Sequence, residues 1–133
     1  MVVVSSENVP LVSEGDVVAV RRRVREVASQ LGFSLVDQTK VVTAASELAR
    51  NTLIHGQGGE MQLNQLNGPR LGLRLTFEDK GPGIPDISLA LRDGFTTGSG
   101  LGLGLGGAKR LVNEFEIVSR VGEGTKITVT RWK

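Results

Sequence analysis

The chain has 133 residues, 39% of them hydrophobic and 23% charged, with no cysteine and a single histidine, His55. At about 150 residues per domain it is expected to be one globular unit, long enough to bury about two thirds of its unfolded surface. The lack of cysteine excludes disulfides, iron–sulfur clusters, thiolate zinc sites and a cysteine nucleophile, while 16 Lys and Arg against 14 Asp and Glu leave a net charge of only +2. With one Trp, four Phe and no Tyr there is little to stack on bases, so no nucleic-acid partner is expected. No apolar run approaches the about 18 residues of a membrane span, and the first four residues carry no basic segment of a signal peptide; a cytoplasmic place and no membrane partner are expected.

Residues 9–12 are expected to form a first strand, at a sheet edge because Pro10 offers no N–H to a ladder. Ser13 or Asp16 can then cap a helix in which Val17, Val20, Val24, Val27 and Leu31 form one stripe at about 100° per residue, stopped by Gly32. Arg21, Arg22 and Arg25 fall away from that stripe and Arg23 flanks it, a solvated face first and an acidic-partner docking face second. A second helix is expected from an Asp37 cap to His55, with Val41, Ala45, Leu48 and Thr52 inward and Gly56 ending it. Residues 61–66 and 71–77 alternate apolar with polar side chains around Asn67-Gly68-Pro69 and read as a hairpin. A glycine-rich loop follows Glu78, then a third helix over 107–113 and a last hairpin of 116–120 and 126–132 around Gly122-Glu123-Gly124. This order predicts an α/β two-layer sandwich with helices on one face of a mostly antiparallel sheet.

Of the 18 glycines, 14 fall between Gly56 and Gly107 and seven between Gly94 and Gly107. Glycine admits close backbone approach to a ligand at an entropic cost, so this concentration directs attention to function. Glu47 and Asn51 stand at i and i+4 on the second helix and project from one face. A carboxylate there can accept a hydroxyl proton, and a neutral amide oxygen suits a hard Mg2+ ion already bridging phosphates; an exposed hydrogen-bonded pair is the plain alternative. Asp79 ends a strand and is followed by Lys80-Gly81-Pro82-Gly83. It can accept a hydrogen bond from a purine amine while Gly81 and Gly83 let a flat ring lie against backbone, although the segment also reads as a simple Pro-Gly turn. In the run 98–105 glycine alternates with small or apolar residues before a helix, and Thr96, Thr97 and Ser99 add hydroxyls, a possible cradle for phosphates. It is neither a Walker A loop nor a dinucleotide fingerprint.

In this order and spacing the segments resemble the boxes of the GHKL family, the gyrase, Hsp90, histidine kinase and MutL ATPases. Glu47 with Asn51 resembles the N box, residues 79–83 the first glycine box, Gly100, Gly102 and Gly104 the second, and Gly122-Glu123-Gly124-Thr125 the last. The match narrows to the short anti-sigma-factor-type serine/threonine kinases, nearest to the switch kinases of the stressosome. The resemblance implies a Bergerat α/β sandwich that binds ATP and Mg2+ and phosphorylates a serine or threonine of a STAS-domain antagonist. It also implies a stressosome scaffold and a downstream phosphatase as further partners, with sequestration of a sigma factor as the alternative. By the same resemblance Glu47 is the catalytic base, Asn51 the Mg2+ ligand and Asp79 the adenine acceptor. Gly81, Gly83, Thr97, Ser99, Gly100, Gly102, Gly104 and Thr125 complete the nucleotide site, with residues 94–106 expected to order as a lid over the phosphates. His55 is expected to be a helix-end residue and not a phosphate carrier.

Overall fold

The structure is a computed structural model and describes residues 2–92 and 104–133. Nine elements run in the order β1 (Val2–Leu11), α1 (Glu14–Gln30), α2 (Leu35–Ile54), β2 (Gly59–Asn67), β3 (Gly72–Asp79), α3 (Ile87–Ala90), α4 (Gly104–Arg110), β4 (Glu114–Arg120) and β5 (Gly124–Trp132). The strands form one sheet in the order β1-β2-β3-β5-β4, and every neighbouring pair is antiparallel. Helix α2 packs on α1, on α4 and on the three strands β1 to β3, giving the α/β architecture read from the element order.

Strand alternation decides what reaches the helices. Met61 pairs with Phe77, Phe77 with Ile127 and Ile127 with Ile117, and the next row joins Leu63, Leu75, Val129 and Phe115. These rows close onto Val17, Val20, Val24 and Val27 of α1 and Val41, Ala45 and Leu48 of α2 in one buried apolar cluster. The stripe predicted for α1 is therefore its inward face, apart from Leu31, which caps the helix half-buried, and Gly32 leaves it at φ +87°. Arg21, Arg22 and Arg25 are exposed, while Arg23 grips both carboxylate oxygens of Glu7 from its Nε at 2.9 and 3.0 Å.

Four of the departures from expectation have a reason beyond local pattern. Strand β1 begins at Val2 rather than Val9, because residues 2–8 pair with β2 even though their side chains do not alternate cleanly. Helix α2 starts earlier: Ser34 is its cap, accepting the Asp37 N–H at 3.1 Å, and the Asp37 carboxylate instead meets the Arg131 guanidinium at 2.6 Å. Helix α4 covers Gly104–Arg110 rather than 107–113, since burying Leu105 and Ala108 against α2 outweighs the low helix propensity of its glycines. The short α3, capped by Asp86 through the Leu89 N–H at 3.0 Å, interrupts the predicted loop.

At the start of α1 the Asp16 carboxylate reaches back to accept the N–H groups of Val12 and Ser13 at 2.9 and 3.0 Å. Its pKa is held below the ordinary carboxylate value chiefly by the Val12 bond, and that of Asp37 chiefly by the Arg131 hydrogen bond. A folded-state pKa below the unfolded one stabilises the fold fully above about pH 4 and is lost as pH falls through the folded value. Denaturant midpoints are therefore expected to fall between about pH 5 and about pH 2 more steeply for the wild type than for Asp37→Asn, which lacks the titrating group. Equal acid slopes would contradict this linkage.

Candidate active site

The alternation that builds the core also builds the site. One step beyond the apolar rows, the same side of the sheet carries a row in which Gly59 pairs with Asp79, Asp79 with Thr125 and Thr125 with Ser119. Asp79 thus continues the stripe Leu73, Leu75, Phe77, and Thr125 continues Val129, Ile127; Asp79 is 7% and Thr125 6% exposed. A buried carboxylate at the end of an apolar stripe needs donors. Asp79 Oδ1 accepts the Gly81 N–H at 2.9 Å and the Thr125 N–H at 3.3 Å, so both bonds fall on one oxygen, while Oδ2 lies against Gly56.

Three glycines make room for this arrangement. A Cβ on Gly56 would run into the Asp79 carboxylate, and one on Gly81 would stand 2.6 Å from the Gly56 carbonyl oxygen. On the other side a Cβ on Gly124 would collide with the Asp79 carbonyl oxygen, and Gly124 has φ +108°, a conformation that side-chain-bearing residues rarely adopt. The carboxylate is thereby clasped between the end of α2 and the start of β5.

Helix α2 delivers the other half of the site. Its last turn is held by the Asn51 carbonyl, which accepts the N–H groups of His55 at 2.9 Å and Gly56 at 3.1 Å. Thr52, buried beside it, turns its hydroxyl onto the Leu48 carbonyl at 2.9 Å, and its methyl would be 2.9 Å from a Cβ on Gly59. That contact brings the helix end down onto the polar row. Glu47 and Asn51, one turn apart, are both half-buried and flank the buried stripe of Ala44, Leu48 and Thr52.

Of the site residues expected from the sequence, Asp79, Gly81, Gly83 and Thr125 gather at the sheet end and Glu47 and Asn51 on the adjoining helix. Gly104 is the first residue of α4, at φ +71°. Thr97, Ser99, Gly100 and Gly102, with most of the expected lid, lie outside the described residues. Sequence reading treated Gly56 as a helix stop and gave Ser119 no role. Yet Ser119 Oγ accepts the Ile84 N–H at 2.8 Å and lies 2.7 Å from Thr125 Oγ1, tying the loop after Asp79 to the final hairpin. The Gly122 N–H adds a second tie to the Pro82 carbonyl at 2.8 Å.

Residues 36–133 match the family of histidine kinase-, DNA gyrase B- and HSP90-like ATPases. The chain belongs to this family. Within it, the chain is 46% identical over 125 residues to the serine/threonine-protein kinase RsbT of Bacillus subtilis, covering 93% of this chain and 94% of that one. It is 30% identical over 117 residues to an anti-sigma F factor of a Thermoanaerobacter species, covering 84% and 82%. Membership in this ATPase family, on the side of the serine/threonine kinases, is thus established by sequence over nearly the whole chain. The fold also matches the solved RsbU and RsbW domains of a Mycobacterium tuberculosis protein, with a TM-score of 0.66 at 23% identity over 96% of this chain and about a third (32%) of that one. A histidine kinase domain from Erythrobacter litoralis shares the fold with a TM-score of 0.52 at 18% identity, over 92% of this chain and 60% of that one. Among the described residues no helix is long and apolar enough to cross a membrane.

Proposed function

We propose that the chain transfers the ATP γ-phosphate to a serine or threonine hydroxyl of a STAS-domain antagonist and acts as a partner-switching regulator of stress signalling, residues 1–133 working as one GHKL domain. The supporting observation is the meeting of two chemistries at Gly56: a buried carboxylate beside a hydroxyl on the sheet, and Glu47 with Asn51 on the helix that ends against them. The carboxylate takes the adenine amine at Asp79 Oδ2, and Gly81 and Gly83 let the ring approach backbone. The triphosphate then runs toward α2, and Thr97, Ser99, Gly100, Gly102 and Gly104 are proposed as its further ligands.

Magnesium fits as an ion that arrives with the nucleotide. Asn51 would hold the ion through its neutral amide oxygen alongside the nucleotide phosphates, and the ion would neutralise phosphate charge there. Glu47 accepts the proton of the incoming hydroxyl. The hydroxyl oxygen forms its bond to the γ-phosphorus as the bond to the bridging β–γ oxygen breaks and ADP leaves, a step governed by positioning and charge neutralisation. A stressosome scaffold and a downstream phosphatase complete the proposed partners, in the cytoplasm, with neither nucleic acid nor membrane. The likeness to anti-sigma F factors supports a second reading, in which the chain sequesters a sigma factor and ATP sets its affinity. A stable complex with a sigma factor, unchanged by phosphorylation of any antagonist, would favour that reading.

The deciding experiment is transfer from γ-labelled ATP to a STAS-domain protein, followed by acid treatment and separation of the chains. A phosphate ester on serine or threonine survives mild acid and a phosphoramidate on histidine does not. Acid-stable label on the partner is expected, and folded His55→Ala should transfer as the wild type does. His55 follows Asn51 by one turn as the C-cap of α2, and a residue fixed at that helix end is not free to swing in line with the γ-phosphate. Acid-labile label on this chain, lost in His55→Ala, would return it to histidine phosphorylation.

A further inference from the structure

Two side chains on the last turns of α2, Arg50 and Ile54, have no task in the reading above. At about 100° per residue, Asn51 lies about 40° to one side of Glu47, while Arg50 lies about 60° and Ile54 about 20° to the other. The buried Leu48 and Thr52 lie further round on the Asn51 side. Arg50 and Ile54 therefore occupy the flank of Glu47 that is turned away from the core. Ile54 is 50% exposed there and Arg50 is half-buried.

Arg50 differs from the arginines that tie the fold together. Arg23 grips Glu7 at 2.9 Å and Arg131 grips Asp37 at 2.6 Å, whereas among the described residues Arg50 has neither a hydrogen-bond nor an ion-pair partner. Its guanidinium keeps its charge and five donors in a fork that matches a carboxylate. Ile54, one turn on, offers apolar surface whose burial against a partner is favourable. The pair thus complements a carboxylate with an apolar side chain beyond it. In-line transfer sets the incoming oxygen opposite the leaving bridging oxygen. With the phosphates on the Asn51 side of Glu47, the hydroxyl has to enter from the other side, across Arg50 and Ile54.

We infer that Arg50 and Ile54 form the docking ledge for the acceptor segment of the protein substrate: Arg50 pairs with a carboxylate next to the acceptor serine or threonine, and Ile54 packs against an apolar side chain beyond it. Along the helix axis Arg50 stands about 4.5 Å and Ile54 about 10.5 Å from Glu47. An extended segment rising about 3.3 Å per residue meets them one or two residues and about three residues from its hydroxyl. The guanidinium also offsets the repulsion that such a carboxylate meets from Glu47. This inference rests on Glu47 as the base of the proposed transfer.

The test is steady-state transfer from saturating Mg-ATP to the STAS-domain protein labelled in the experiment above, with Mg-ATP affinity measured by calorimetry on the same preparations. Arg50→Gln is expected to raise the KM for the STAS-domain protein about fivefold and Arg50→Glu about tenfold or more, with kcat changed less than about threefold and Mg-ATP affinity less than about twofold. Ile54→Ala should raise the same KM about three- to fivefold, and Arg50→Lys, which keeps the charge, should lose less than Arg50→Gln. A STAS-domain protein whose carboxylate nearest the labelled hydroxyl is replaced by lysine should be a poor substrate for the wild type and a better one for Arg50→Glu, an exchange that a merely structural role of Arg50 cannot produce. Should Arg50→Glu not fold, Arg50→Gln against the same altered substrate carries the comparison, because the KM penalty of the lysine should then shrink. An unchanged KM in folded Arg50→Gln, or a lysine penalty as large in the Arg50 variants as in the wild type, would overturn the inference. Loss of Mg-ATP affinity without a change in that KM would place the guanidinium on the nucleotide and overturn it as well. The underlying reading fails separately, and takes the inference with it, if the wild type labels no STAS-domain protein or if Glu47→Gln transfers as the wild type does.

Discussion

Glu47→Gln is expected to lower the rate of phosphoryl transfer by about 10²-fold or more while leaving the affinity for Mg-ATP within about twofold. Glutamine keeps the length and polarity of this half-buried side chain on α2, so the helix and its packing on β1 to β3 should be unaffected. What it loses is the ability to take a proton, and a serine or threonine hydroxyl is a poor nucleophile until its proton has somewhere to go. In the proposed site the nucleotide contacts fall elsewhere, on the Asp79 row and on Asn51, which is why binding and transfer should separate. Nucleotide affinity and single-turnover transfer to a STAS-domain protein, measured on the same preparation, check both halves. Transfer within about threefold of the wild type would remove Glu47 as the base. A parallel loss of ATP affinity would instead place the carboxylate in the binding of the nucleotide.

The sequence and the structure agree on which side chains share a face where that depends on spacing along one element. Glu47 and Asn51 share a helix face by period alone, and Asp79 sits inward because β3 alternates from Leu73 through Phe77. The agreement is poorer where long-range partners decide. Asp37 resembles a helix cap until Arg131, 94 residues away, claims its carboxylate at 2.6 Å and Ser34 takes the cap. Residues 2–8 lack a clean alternation, and only pairing with β2 makes them a strand. Ser119 is invisible for the same reason: on its own hairpin it is one serine among exposed residues. It gains meaning because β5 inserts between β3 and β4, which lines it up with Thr125 and, across Thr125, with Asp79. Gly56 looks like a helix stop until β3 places a carboxylate where its side chain would be.

Asp79→Asn is expected to weaken ATP binding by roughly ten- to a hundredfold, the equivalent of about 1.5 to 3 kcal/mol for a hydrogen bond to a charged group. The backbone sets the direction of the effect. Asp79 Oδ1 accepts from both Gly81 and Thr125, and an asparagine in the same place must keep its oxygen there, because turning the amide over would set its NH2 against two N–H donors. Its nitrogen then occupies the Oδ2 position and points a donor at the adenine amine, itself a donor. The substitution should therefore be selective as well as weakening. Purine riboside triphosphate, without the amine, should lose much less affinity than ATP, and a nucleotide with a carbonyl at the same ring position, such as inosine triphosphate, should bind the variant better relative to ATP than it binds the wild type. Calorimetry with the three nucleotides on wild type and variant gives the comparison, with thermal unfolding to show that the buried substitution folds. Unchanged ATP affinity in a folded Asp79→Asn protein would move the base away from the end of β3. A uniform loss across all three nucleotides would mean that the substitution disturbs the clasp formed by Gly56 and Gly124 rather than the recognition of the base.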